Sequence, residues 1–153
     1  VDVLSFGGTK NGILMGEAVV FANAEMAPDF LYVRKQSTQL ASKMRFVAAQ
    51  FSALLSGDLW LRNARHANEM AALLAEGMGA LGGVDIFQQV QANEIFARIP
   101  AEHVAALQAV ADFYVWDESD SSVRWVASWD TTREDIDAFV SAAQSLLSGQ
   151  PAE

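Results

Sequence analysis

The chain contains no cysteine, so disulfides and thiolate chemistry are excluded and cysteine usage says nothing of the redox compartment. Histidine is nearly as scarce. His66 and His103 are the only two, and neither sits in a ligand-spaced cluster, so no metal site is expected. Basic residues are few: 10 Lys and Arg stand against 19 Asp and Glu, for a net charge of −9. That balance disfavours nonspecific nucleic-acid binding, which needs a basic face. It does not exclude an anionic small molecule, which binds wherever a few cationic and backbone N–H groups converge. No apolar run reaches bilayer-spanning length, and nothing directs export, so no membrane partner and a cytoplasmic location are expected. There is no internal repeat and no low-complexity run. Gly7-Gly8 has the wrong spacing for a P-loop or a dinucleotide fingerprint.

What is present is a globular composition. With 52% hydrophobic residues in 153, the chain can bury a real core and does not read as disordered. Residues 1–9 read as a strand entering a glycine turn, and 13–21 as a strand leaving it. Residues 22–36 read as irregular, with Pro28 excluding a central strand. Leu40, Met44, Val47, Phe51 and Leu54 recur at helical spacing, predicting a helix over 38–55 with Ser37 as N-cap. Gly57 predicts its stop, and Asp58 can cap a second helix over 59–78. From residue 84 the pattern becomes β-β-α-β-β-α. Strands are predicted at 86–87, 95–99, 113–116 and 123–127, with helices over 100–110 and 133–147. Thr131 or Thr132 with Glu134 or Asp135 is a helix start. An antiparallel sheet with helices on one face would bury both periodicities, and the Gly-rich bend at 79–83 is the natural boundary.

The chemically distinctive stretch is Ser5-Phe6-Gly7-Gly8-Thr9-Lys10-Asn11-Gly12. One lysine sits in a turn of small and hydroxyl residues, where backbone and ligand approach closely. Partial desolvation in such a turn makes a neutral, nucleophilic amine available. By residue type alone, a surface lysine in a turn is the plainer alternative. On the strand at 123–127, Arg124 alternates with Val123 and Trp125. Its guanidinium suits bidentate carboxylate binding, or else pairs with Asp117, Glu118 or Asp120 at the surface. Arg34, Lys35, Lys43 and Arg45 make a basic cluster in an acidic chain. Lys43 and Arg45 also fit a solvated helix face. His66 reads as structural and His103 as exposed, while Trp60, Trp116, Trp125 and Trp129 read as packing residues of the core or of an interface between domains.

The string from Asp2 to Gly12, with Gly16-Glu17-Ala18-Val19-Val20-Phe21, resembles the cofactor-lysine segment of low-specificity L-threonine aldolases. These belong to the β-eliminating lyase group of fold-type I pyridoxal-phosphate enzymes. The resemblance continues through Arg34-Lys35-Gln36, Gln39–Phe46 and Leu59–Asn68 and ends at Val123–Asp130. It implies an α/β fold-type I fragment. Residues 1–36 would end the large cofactor domain, 37–83 would be linking helices, and 84–153 would form the small α+β C-terminal domain. By the same resemblance, Lys10 holds pyridoxal 5'-phosphate covalently and Arg124 grips the substrate carboxylate; Lys35 of the basic cluster and the Thr9 hydroxyl are the residues expected to contact the cofactor phosphate. The implied reaction cleaves the Cα–Cβ bond of L-threonine or L-allo-threonine to glycine and acetaldehyde. The resemblance further implies a homodimer or homotetramer and an N-terminal half beyond this chain. That half would supply the ring stacked on the cofactor, the acid facing its pyridine nitrogen, and the general base, so the 153 residues alone are expected to be inactive. The rival readings are another fold-type I reaction (β-elimination or transamination), a non-catalytic interaction domain, and a purely structural module.

Overall fold

The computed structural model describes residues 1–149, which gather into two compact units, residues 1–63 and residues from Ala64 onward.

The first unit opens with a hairpin. Strand β1 (Val3–Gly7) pairs antiparallel with β2 (Glu17–Phe21), from Val3 opposite Phe21 to Gly7 opposite Glu17. The segment between them carries a short 3-10 turn at Thr9–Asn11. Beyond β2, the stretch expected to be irregular contains a helix, α1 (Phe30–Gln36). Pro28 lies just ahead of it, where a missing N–H costs nothing, and no breaker follows within the helix. Ser37 is the C-cap of α1 rather than the N-cap of the next helix. The N–H of Gln39 bonds to Arg34 O and that of Thr38 to Lys35 O, closing a Schellman motif with Thr38 at φ 58°. That left-handed residue turns the chain, so α2 begins only at Met44 and runs to Leu55. Gly57, at φ 69°, ends it as expected. Asp58 accepts the first bond of α3 (Leu59–Gly79) through its carbonyl, from Arg62 N–H. Among the described residues of this unit, Leu54 is the one large apolar side chain that is fully buried.

The second unit holds the rest of α3, then β3 (Asp85–Ile86), β4 (Glu94–Arg98), α4 (Ala101–Gln108), β5 (Tyr114–Asp117), β6 (Ser122–Val126) and α5 (Arg133–Ser148). This is the β-β-α-β-β-α order read from the sequence. The four strands form one antiparallel sheet in the order β3-β4-β6-β5. Strand alternation gives the sheet two faces. Ile95 and Ala97 of β4 and Val123 and Trp125 of β6 point to the buried face. There they pack with Met70, Leu74 and Met78 of α3, Leu107 of α4, and Ile136 and Phe139 of α5. Trp125 meets Phe113 and Phe139 edge to face, with centroids 6.2 and 5.8 Å away. The other three tryptophans keep more than a third of their surface exposed, so among the described residues Trp125 alone of the four packs the core. Gly77 lets α3 and α5 close: a Cβ there would lie 2.8 Å from Val140 Cγ2.

Candidate active site

Lys10 lies at the centre of the 3-10 turn, exposed and contiguous with a tightly bonded frame. The N–H groups of Gly8 and Thr9 both donate to Gly16 O, at 3.1 and 3.2 Å, and those of Asn11 and Ile13 donate to Gly8 O. Thr9 Oγ1 accepts from Gly16 N–H at 3.0 Å and lies 3.4 Å from Gly16 O. The Thr9 hydroxyl is thus engaged in closing the loop. Gly8 is buried, and a Cβ there would come within 2.5 Å of Ile13 Cδ1, 2.7 Å of Phe51 Cζ and 2.8 Å of Gly16 O. The requirement for glycine is therefore one of space. Helices α2 and α3 fasten the loop from outside. Gln50 Oε1 accepts from Leu14 N–H at 2.8 Å, Asn63 Nδ2 donates to Asn11 O at 2.8 Å, and Asn11 Nδ2 donates to Trp60 O at 3.2 Å. The loop around Lys10 is thus closed by its own backbone and by two helices, while Lys10 itself is exposed.

On α1, Lys35 is exposed, and Arg34 is half-buried with its Nε lacking an acceptor among the described residues. An orphaned guanidinium N–H suits an anion. The donor set of this unit is a free primary amine, a buried unpaired guanidinium nitrogen and a neighbouring ammonium. In kind it fits an aldehyde that carries a phosphate. Lys43 is the N-cap residue of α2 and is exposed, as is Arg45 in the first turn of that helix, consistent with a solvated helix face.

Arg124 belongs to the second unit. It lies on the sheet face away from the helices, directly paired with Phe96 of β4 and Tyr114 of β5. Its Nε donates to Glu94 Oε2 at 2.8 Å; the two side chains are 26% and 38% exposed. None of Asp117, Glu118 and Asp120 pairs with it. Asp117 instead caps Ser119, and Asp120 bonds Arg98 and Ser122. The hydrogen bond to Glu94 raises the Arg124 pKa above its ordinary range, so the guanidinium is charged at any working pH. Its Nη1 and Nη2 groups have no acceptor among the described residues and can hold a carboxylate end-on. Glu94 escaped sequence reasoning because it is a diagonal neighbour across two strands. Only the register, with Glu94 opposite Val126 and Phe96 opposite Arg124, brings it there.

His66 is committed elsewhere. Its Nε2 donates to Thr131 O at 2.7 Å, tying α3 to the loop before α5, a structural use. His103 lies in the first turn of α4 and is half-buried. A cavity of about 300 Å³ opens beside Phe113, Trp125 and Phe139. Arg124 does not line it, and it is separate from the carboxylate-binding candidate.

Two curated proteins and one solved structure similar to this chain are threonine aldolases. No family model matches the chain. A low specificity L-threonine aldolase of Pseudomonas aeruginosa is 45% identical over 136 residues, covering 89% of this chain and 39% of that protein. Another, from a Pseudomonas species, is 40% identical over 149 residues, covering 97% of this chain and 43% of its own length. The solved structure of Leishmania major threonine aldolase superposes with a TM-score of 0.85 at 28% identity, over 95% of this chain and 43% of that one. The chain thus spans about two fifths of the length of the curated relatives it matches. In sequence and in fold, nearly all of it corresponds to a C-terminal part of the low specificity L-threonine aldolases.

Proposed function

We propose that the complete protein is a pyridoxal-phosphate-dependent aldehyde lyase. Its reaction cleaves the Cα–Cβ bond of L-threonine or L-allo-threonine to give glycine and acetaldehyde. The observation that carries this reading is identity of 40–45% to two low specificity L-threonine aldolases across nearly the whole chain. Pyridoxal phosphate, when bound, supplies the electron sink that makes bond cleavage at Cα feasible.

Lys10 would hold the cofactor through Nζ, and its amine would serve to move a proton at Cα of the amino acid. The frame of Gly8, Thr9 and Gly16 fixes where that amine emerges, which is the positional precision such a step needs. Arg124 binds the α-carboxylate of the amino acid through its free Nη groups. Arg34 and Lys35 serve the phosphate, with Thr9 as the loop's closing hydroxyl. The proton of the β-hydroxyl leaves to a base when the Cα–Cβ bond breaks. His66 is held on Thr131 O, and we assign the base to the part of the enzyme outside this chain.

The first unit supports that assignment. A unit with a two-stranded hairpin and one large apolar side chain buried among its described residues is not a self-sufficient core. Exposed Leu4, Val19, Val20, Leu31 and Tyr32 ask for cover, which the rest of a larger subunit and a homodimeric or homotetrameric assembly would give. The test is product identity. Full-length protein given L-threonine and pyridoxal phosphate is expected to release glycine and acetaldehyde in equal amounts. A keto acid with ammonia would reassign it to β-elimination, and no turnover of any amino acid would make it a binding domain.

A further inference from the structure

We infer that Glu94 is a positioning residue for substrate carboxylate binding, acting through Arg124. The inference rests on the proposed function, in which Arg124 meets the α-carboxylate. An arginine offers two edges to a carboxylate: the side-on pair of Nε with one Nη, and the end-on pair of Nη1 with Nη2. Here Nε is already given to Glu94 Oε2 at 2.8 Å. The side-on edge is closed, and an incoming carboxylate is confined to the end-on edge.

The pair contributes little to folding. Both partners are partly exposed, Glu94 by more than a third, so the attraction is screened and its contribution is at the low end for an ion pair. Orientation is where it matters. Arg124 stands between Phe96 and Tyr114, with Phe96 braced edge-on against Trp116 at 5.0 Å. Phe96 and Tyr114 are the register partners of Arg124 on the two adjacent strands, and the bond from Nε to Glu94 fixes the rotation of its side chain. Without Glu94 the side chain regains rotamers that substrate must freeze again. Glu94 also sets a negative charge near an anion site, so its acceptor oxygen is useful and its charge is not. That separates two variants. Glu94→Gln keeps an oxygen acceptor for Nε–H and drops the charge. Glu94→Ala drops both.

The experiment is steady-state kinetics with L-threonine on the full-length, cofactor-loaded enzyme, with melting temperatures measured in parallel. Glu94→Ala is expected to raise KM about three- to ten-fold, the equivalent of ordering one long side chain, with kcat held within about two-fold. Glu94→Gln is expected to return KM to the wild-type value or below. Unchanged KM in Glu94→Ala would overturn the inference. So would an equal loss in both variants accompanied by an equal fall in melting temperature, the mark of a structural role. Arg124→Lys separates the two levels of argument. If it raises KM strongly while Glu94→Ala does not, the inference fails and the role of Arg124 stands. If it leaves KM unchanged, the role of Arg124 fails as well.

Discussion

Gly8 shows how a residue without a side chain can shape the loop that carries the candidate lysine. It is in ordinary right-handed backbone, at φ −79°, so its glycine character is not conformational. The space that a methyl would need is filled by Ile13, by Phe51 and by the carbonyl of Gly16. The first two could shift; the carbonyl is held by two N–H groups and could not without opening the loop. Gly8→Ala is therefore expected to destabilise the full-length protein by about 1–3 kcal/mol, the usual range for overpacking. It should also lower occupancy of Lys10 by cofactor, read as visible absorbance per subunit at saturating pyridoxal phosphate. An unchanged denaturation midpoint with full occupancy would contradict the packing account. Arg124 illustrates the reverse case, a side chain whose surroundings decide its use. The same strand arginine would be a surface ion pair if Asp117 or Asp120 faced it; the register gives it Glu94 through one nitrogen and leaves the others open.

Among the elements, α5 is the best-defined start in the chain. Thr132 Oγ1 accepts from Asp135 N–H at 3.1 Å, while Asp135 Oδ2 accepts from Thr132 N–H at 2.8 Å and from its hydroxyl at 2.7 Å. This capping box was legible because both residues lie within one turn of each other. The Thr132 hydroxyl, then its backbone N–H, holds the Asp135 carboxyl below the usual carboxylate range. A carboxyl with a lowered folded pKa stabilises above its unfolded pKa and loses that contribution as pH falls through the folded one. Asp135→Asn should therefore lower the melting temperature at pH 6, and its deficit relative to wild type should shrink as pH drops below about 4. A deficit independent of pH would refute the ionised cap. The elements from residue 84 onward, and α3, were likewise readable, because local periodicity and glycines mark them. Helix α1 and the late start of α2 were not. Pro28 suggested irregular chain, and the hydrophobic spacing from Leu40 suggested a continuous helix. A threonine in left-handed backbone, closing a Schellman motif at Thr38, gives no compositional sign comparable to a glycine. The Glu94–Arg124 pair was hidden for a different reason: it depends on how two strands align, and single-sequence patterns fix faces better than registers.

At the scale of the whole molecule, the two units differ in kind. The second buries a continuous core between a four-stranded sheet and three helices. The first buries little, and a cluster of its hydrogen bonds shapes the loop that carries Lys10. That loop presents a single exposed amine, the group to which the proposed function assigns the cofactor. No helix among the described residues is long and apolar enough to cross a membrane. The central claim is the role of Lys10, and it is tested most directly by borohydride reduction of the full-length protein with pyridoxal phosphate, followed by peptide mass mapping. The account predicts a pyridoxyl adduct on Lys10, absent from the Lys10→Ala variant. An intact, cofactor-supplied protein whose Lys10 remains unmodified, or whose Lys10→Ala variant keeps full turnover, would contradict it.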